Sequence, residues 1–380
     1  MSRSIGVLLL ALVSACASTV LASAQALLSQ TEIANSSLAS TSPVAYIYVS
    51  SSAGQGQING YAAASDGSLT AVAGSPFPGS VSAMATNGRW LYGADYGNID
   101  SFSVASNGAI TFAGTVSVPG DEVVNLFFDH TGTWLYVNDY DGAYNNYFSY
   151  SIDQSTGQLA FINEAGGGPL NNGVLSFIGN SEFAYSSTCA DTAMIFEVQR
   201  ASDGSIIEFN TGAPLPTIPP GYSYCPGFAA ADPTDHLAIA VQAMNANGGV
   251  AGPYQLATYT ADSSGNLTTN STYQNMLSVR VGSVSDYWMS PNGRCLAVAG
   301  FGGLQLFHFN GANPITKFTG LLTSNAVWQV FWDNSSHLYA LSVLAGELYV
   351  FTVTSKGVKQ APGSPYAIAG AQNLVVLPKT

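Results

Sequence analysis

The sequence predicts an all-β fold, a seven-bladed β-propeller with four antiparallel strands per blade. Three recurring features predict it: a turn segment that returns seven times between Ala45 and Lys359, an alternating apolar strand before each turn, and a further strand pair before that. Units of this kind recurring every 45 to 50 residues or so are a propeller signature, because one small sheet cannot bury both its faces until neighbours stack on it.

The turns read ASDGSLT from Ala64, ASNGAIT from Ala105, QSTGQLA from Gln154, ASDGSII from Ala201, DSSGNLT from Asp262, NGANPIT from Asn310 and TSKGVKQ from Thr354. A glycine after Asp, Asn, Ser, Thr or Lys in a short loop between apolar runs signals a hairpin, since such turns need a residue that tolerates positive φ. The strands before them are QINGYAA from Gln57, NIDSFSV from Asn98, NYFSYSI from Asn146, AMIFEVQ from Ala193, YQLATYT from Tyr254, LQLFHFN from Leu304 and ELYVFTV from Glu347, and their period of two marks sheet. The preceding pair is clearest at Trp90-Leu91-Tyr92, Trp134-Leu135-Tyr136, Phe183-Ala184-Tyr185, His236-Leu237-Ala238, Cys295-Leu296-Ala297 and His337-Leu338-Tyr339.

Blade one begins at Ala45-Tyr46-Ile47-Tyr48-Val49, which matches the second strand of the other blades and lacks a first. Gln372 to Pro378 matches the missing strand, so the C-terminus is expected to donate the innermost strand of blade one and seal the ring. Residues 44–380 are assigned to the propeller, 25–43, rich in Ser, Ala and Thr, to a linker, and 1–24 to a signal peptide, with Arg3 and the apolar run Ile5 to Val13. That run is too short to span a bilayer, so no transmembrane helix is expected in the mature chain. Val13-Ser14-Ala15-Cys16 has the form of a bacterial lipoprotein box with Cys16 as the lipidated residue, and Ala22-Ser23-Ala24 offers an ordinary cleavage site. Either places the protein outside the cytoplasm, as a periplasmic, outer-membrane or secreted molecule.

Of the 380 residues only 8 % are charged, and the formal net charge is −13. Nine scattered Lys and Arg residues cannot neutralise a run of phosphates, which argues against nucleic acid as a partner. Beyond Cys16 there are three cysteines. Cys189, in the second-to-third-strand loop of blade four, and Cys225, in the connection to blade five, lie on the same face and can pair as a disulfide, while Cys295 reads as a small core residue.

Propellers place ligands at the channel mouth, on the face that carries those two kinds of loop. The repeat maps Asp95, Tyr96, Asn98, Asp121, Glu122, Asp139, Tyr140, Asp141, Tyr144, Asn171, Asn172, Asp191, Tyr222, Tyr224, Arg280, Asp286 and Trp328 there. Asp95, Asp139, Asp141, Asp191 and Arg280 are the catalytic candidates. Tyr96, Asn98, Tyr144, Asn172, Tyr222, Tyr224 and Trp328 are the ligand-binding candidates. Insertions from Gly212 to Pro226, Met244 to Pro253 and Thr269 to Ser285 enlarge the same face. His130, His236 and His337 fall in the turn between first and second strands, on the opposite face, with His308 inside a strand. No cofactor is called for; Asn138 with Asp139-Tyr140-Asp141 offers oxygen ligands for calcium. A monomer is expected.

Leu135-Tyr136-Val137-Asn138 and Leu91-Tyr92-Gly93-Ala94, alternating with Asp-Gly turns, together with Gly74-Ser75-Pro76-Phe77 and Gly363-Ser364-Pro365-Tyr366, resemble the seven-bladed lactonase family. That family takes in 6-phosphogluconolactonase-like proteins and the related YVTN-repeat propellers, and the likeness spans residues 45–380. The resemblance implies water opening a lactone at the channel mouth, activated by a carboxylate, with a cation or hydrogen-bond donor stabilising the oxyanion. A phosphorylated substrate calls for several cations, and Arg280 alone maps to this face, so an uncharged lactone suits the sequence better. The primary expectation is a binding propeller for a protein, glycan or small ligand, and the alternative a lactone hydrolase.

Overall fold

The structure, a computed structural model, describes residues 42–120, 122–140, 145–166, 173–189, 193–209 and 212–379. The residues read as a signal peptide, Cys16 among them, and nearly all of those read as a linker lie outside them. No helix among the described residues is long and apolar enough to cross a membrane.

Seven antiparallel sheets follow one another along the chain. Blade one takes its innermost strand from the C-terminus: Ala371–Pro378 pairs with Ala45–Ser51, with Tyr46 opposite Leu377 and Val49 opposite Leu374. Side chains reinforce the seam, where Ser50 Oγ accepts the Asn373 N–H at 3.1 Å and Lys379 lies 5.3 Å from the Tyr46 ring centroid. The second strands are buried on both faces, as in Ala45–Ser51 and His337–Ser342, because each sheet is sandwiched between two others; the outer strands keep mostly exposed positions.

A single device repeats around the ring and explains the glycines of the hairpins. A residue at the start of the second strand of one blade, the first in five blades and the second in blade one, lies over the hairpin glycine of the next: Tyr46 over Gly108, Trp90 over Gly157, Trp134 over Gly204, Phe183 over Gly265, His236 over Gly311 and His337 over Gly67. A Cβ on Gly204 would lie 2.3 Å from the Trp134 ring, and φ there is +88°, so the position excludes side chains twice over. Two residues further along, a tyrosine hydroxyl donates to the same glycine's carbonyl: Tyr48 to Gly108 at 2.8 Å, Tyr92 to Gly157 at 3.1 Å, Tyr136 to Gly204 at 3.1 Å and Tyr185 to Gly265 at 2.7 Å. Each such bond satisfies a buried hydroxyl and contributes about 1 kcal/mol. The Trp-Leu-Tyr repeats are therefore staples between blades. His236 and His337 belong to the same series, opening second strands where a turn was expected.

Outer strands are interrupted at one level. In blades one, five, six and seven a hydroxyl there takes over a ladder bond: Ser75 Oγ accepts from Gly60 N, Ser271 Oγ from Thr258 N, Thr319 Oγ1 from Leu306 N and Ser364 Oγ from Val350 N. Breaks of this kind blunt the exposed sheet edges against pairing with other chains.

Blade five departs from the pattern. Its inner three strands, Tyr222–Ala231, His236–Asn245 and Val250–Ala261, run 10, 10 and 12 residues. The stretches from Gly212 to Pro226 and from Met244 to Pro253, read as loops, are thus partly sheet. Cys225 sits in a strand, and a disulfide joins it to Cys189 at the end of Phe183–Cys189, with Cα atoms 5.0 Å apart. Cys295 is buried, and burial pushes its thiol up to about 12, so at neutral pH it is no nucleophile.

Candidate functional site

Residues 121, 141–144, 167–172 and 190–192 are outside the described set, so Asp121, Asp141, Tyr144, Asn171, Asn172 and Asp191 are not placed. The other candidates scatter. Asp95 is half-buried at the end of Trp90–Asp95, and Tyr96 follows in the turn, 74 % exposed with φ of +52°. Asn98 is exposed, its Oδ1 accepting from Ser117 Oγ at 3.1 Å. Asp139 is fully buried against Gly120 and opens to no solvent. Asn138 and Asp139 are consecutive in Trp134–Tyr140 and so point to opposite faces, which prevents them from sharing one cation. Among the described residues no group of three or more His, Cys, Asp and Glu is arranged to hold a metal.

Tyr222 is exposed at the start of its strand, but Tyr224 needs a correction. It is 1 % exposed, donating its hydroxyl to Gln255 Oε1 at 2.8 Å: it shares a strand face with Tyr222 but lies two residues deeper, where Ile178, Ile195 and Met276 cover it. It offers no stacking surface.

Three sequence candidates, Arg280, Asp286 and Trp328, fall in one region, the channel mouth above blades six and seven. Asp286 lies on Val284–Met289, the strand that lines the channel in blade six. Its Oδ2 accepts the N–H of Val330, on the channel strand of blade seven, at 2.7 Å, and its Oδ1 accepts the Tyr287 N–H at 2.8 Å. Its side chain is half-buried on the channel wall. Desolvation raises its pKa to about 7 against the opposing pull of those two donors. Ser285, one residue earlier, donates to the Val327 carbonyl.

Above this wall, Gly302 N–H donates to Val281 O at 2.6 Å and holds the Gly300–Gly303 loop of blade six against the segment carrying Arg280. Phe301, at the tip of that loop, is 53 % exposed, and Trp328 is 39 % exposed. Their rings meet edge to face, centroids 5.4 Å apart at 70°. Three residues before Trp328, Asn325 Nδ2 donates to Glu347 Oε2 at 3.0 Å, and the Tyr349 hydroxyl donates to the same oxygen. Arg280 is exposed and makes no ion pair among the described residues.

Phe301, Asn325, Glu347 and Tyr349 were not singled out in the sequence. Phe301 carried a signal: an aromatic within Gly300-Phe301-Gly302-Gly303 is a large apolar side chain where turn chemistry wants none. The mouth thus combines an exposed aromatic pair, a carboxylate half-satisfied by two donors, a free guanidinium and, deeper, a carboxyl that exchanges its proton near neutrality.

No protein-family model matches the sequence, and no curated protein matches it. Solved structures do match. A candidate 6-phosphogluconolactonase from Bacteroides fragilis superposes with a TM-score of 0.62 at 13 % identity, over 89 % of this chain and 99 % of its own. The periplasmic gluconolactonase of Pseudomonas aeruginosa also gives 0.62 at 13 % identity, over 88 % of this chain and 99 % of its own. Sqt1 of Chaetomium thermophilum, bound to the N-terminus of ribosomal protein L10, gives 0.51 at 12 % identity, over 84 % of each chain. Identities this low speak for fold alone, and these neighbours already carry different functions on it. The chain is a seven-bladed β-propeller structurally like the 6-phosphogluconolactonase and other lactonase propellers.

Proposed function

We propose that the protein is a ligand-binding propeller of lactonase-like fold whose working surface is the channel mouth above blades six and seven. The observation that carries this reading is the Phe301–Trp328 pair: two large aromatic side chains left in solvent, side by side, on the face toward which the channel opens. Exposed aromatics cost hydration free energy unless something covers them, and they supply contact area with little rotamer entropy to lose. Intrinsic Trp fluorescence under titration with candidate ligands tests it. Trp328→Ala should weaken binding about tenfold, and a ligand that binds equally well to that variant would remove this surface from consideration.

A second reading, hydrolysis of an uncharged lactone, is favoured by one specific feature. Asp286 is a channel-wall carboxyl with a pKa near 7, suited to taking a proton from water, and Arg280 is the cation nearest that wall in sequence. A panel of neutral and phosphorylated lactones tests this reading: turnover of a neutral lactone that falls at least a hundredfold in Asp286→Asn supports it, and no turnover on any lactone ends it. The Cys189–Cys225 disulfide and the signal segment together support a location outside the cytoplasm. Anchorage through Cys16 is part of this proposal, tested by metabolic labelling with a palmitate analogue.

A further inference from the structure

Resting on the binding reading above, we infer that the occupant of this mouth is a polypeptide segment that presents a Lys or Arg side chain flanked by apolar residues. Three observations select it. First, exposed apolar side chains on this face are not confined to the pair: besides Phe301 and Trp328, Leu344 is 73 % exposed on the second-to-third-strand loop of blade seven. Secondly, the rings stand edge to face at 70°, so they form no flat platform for a sugar ring, while the face of a Trp accepts a cation. Thirdly, charge complementarity decides the sign. Asp95, Glu122 and Glu347 all belong to this face of a chain with 22 acidic and 9 basic residues, against Arg280 at the mouth.

Glu347 is the group best placed to receive the cation. Asn325 and Tyr349 both donate to Oε2, which holds the carboxylate in place, and Oε1 takes no hydrogen bond among the described residues. A fixed carboxylate with one oxygen open, hydrogen-bonded to Asn325 three residues before Trp328, suits an ammonium or guanidinium whose stem lies along the apolar surface. An acidic face also attracts basic segments from a distance, which raises association rates.

The test uses the whole purified protein and three fluorescein-labelled decapeptides of equal length: alternating Lys and Leu, alternating Glu and Leu, and Ser-Gly repeats, with cellohexaose as a neutral competitor. The Lys-Leu peptide is expected to bind saturably at about 150 mM salt and more tightly at lower salt. Trp328→Ala and Glu347→Gln should each weaken it roughly tenfold, with unchanged melting temperatures, and Glu164→Gln on the outer strand of blade three should leave it unchanged. Equal binding of the Glu-Leu peptide, indifference to both mouth variants, or no peptide binding overturns the inference. Saturable cellohexaose binding lost in Trp328→Ala would overturn it too while leaving the binding reading intact.

Discussion

The interface between blades three and four and the one between blades six and seven are built from the same repeat and held in opposite ways. At the first, Trp134 lies over Gly204 and Tyr136 donates to its carbonyl, so the clasp is on the face away from the channel mouth. At the second, the aromatic is replaced by Cys295 and the tyrosine by Ala297, and a Cβ on the hairpin glycine, Gly357, would meet nothing within 4 Å. The clasp has moved to the channel wall, where Asp286 accepts from Val330 N, Ser285 donates to Val327 O and Trp332 Nε1 donates to Trp288 O. The first interface keeps its charged contact, Arg200 to Asp129 at 3.5 Å, away from the channel wall. The other holds the ring together with a titratable group and stands directly beneath the exposed Phe301 and Trp328, so the repeat relaxes where the candidate site lies.

Four measurements break or sharpen that contrast. The largest effect is expected at the boundary where the regular blades meet the lengthened blade five: Cys225→Ser opens a disulfide across a separation of 36 residues and should cost about 3–4 kcal/mol by the chain-entropy relation. Chemical denaturation with and without reductant measures it, and equal midpoints would mean the extended strands hold without a covalent tie. Next, Gly204→Ala should cost about 3 kcal/mol from ring overlap and positive φ together, whereas Gly357→Ala, with strain alone at φ of +145°, should cost about 1. Comparable losses would erase the difference between the two interfaces.

Asp286→Asn sharpens the contrast through pH. The folded carboxyl titrates near 7 and the unfolded one near its ordinary value, so the native state binds the extra proton between those limits and wild-type stability falls as pH rises through that window. The variant loses one of the two accepted N–H bonds at every pH, because an amide nitrogen cannot accept, so the readout is the slope: its stability relative to wild type should rise by about 1–3 kcal/mol between pH 4 and pH 7, the full shift being discounted because the side chain partly faces the channel. A pH-independent difference would place the carboxyl in bulk solvent. The smallest effect is expected for Tyr136→Phe, about 1 kcal/mol for one buried hydrogen bond, read from thermal melts. A neutral result would mean that ring packing alone clasps the regular interface.

The blades themselves were legible because their signals are local. A glycine after a turn-forming residue and a period-two strand are properties of a few neighbouring residues, and seven copies make the pattern hard to miss. Closure was legible too, since a missing first strand and a surplus last one are visible without coordinates. The site was legible only in part. Arg280, Asp286 and Trp328 were on the right rim, but so were Asp95 and Tyr96 on blade two, and rim position says nothing about which side chains meet. Tyr224 and Asp139 show the limit: both lie at the expected height, and packing from outside their own strands buries both, Tyr224 on the same face as the exposed Tyr222 and Asp139 in a strand covered on both sides. Glu347 looked like an ordinary strand start until Asn325 and Tyr349 were seen to converge on one of its oxygens.

From the chain alone came the number of blades, the strand that seals them and the acidic character of the molecule, because turn propensity, alternation and charge are additive over short stretches. Which glycine carries which ring, why Asp286 holds its proton to about pH 7, and that Phe301 and Trp328 touch were decided only by the closed ring. Each depends on groups from different blades brought within a few ångströms, and desolvation and contact are properties of that assembled interior, absent from any single segment.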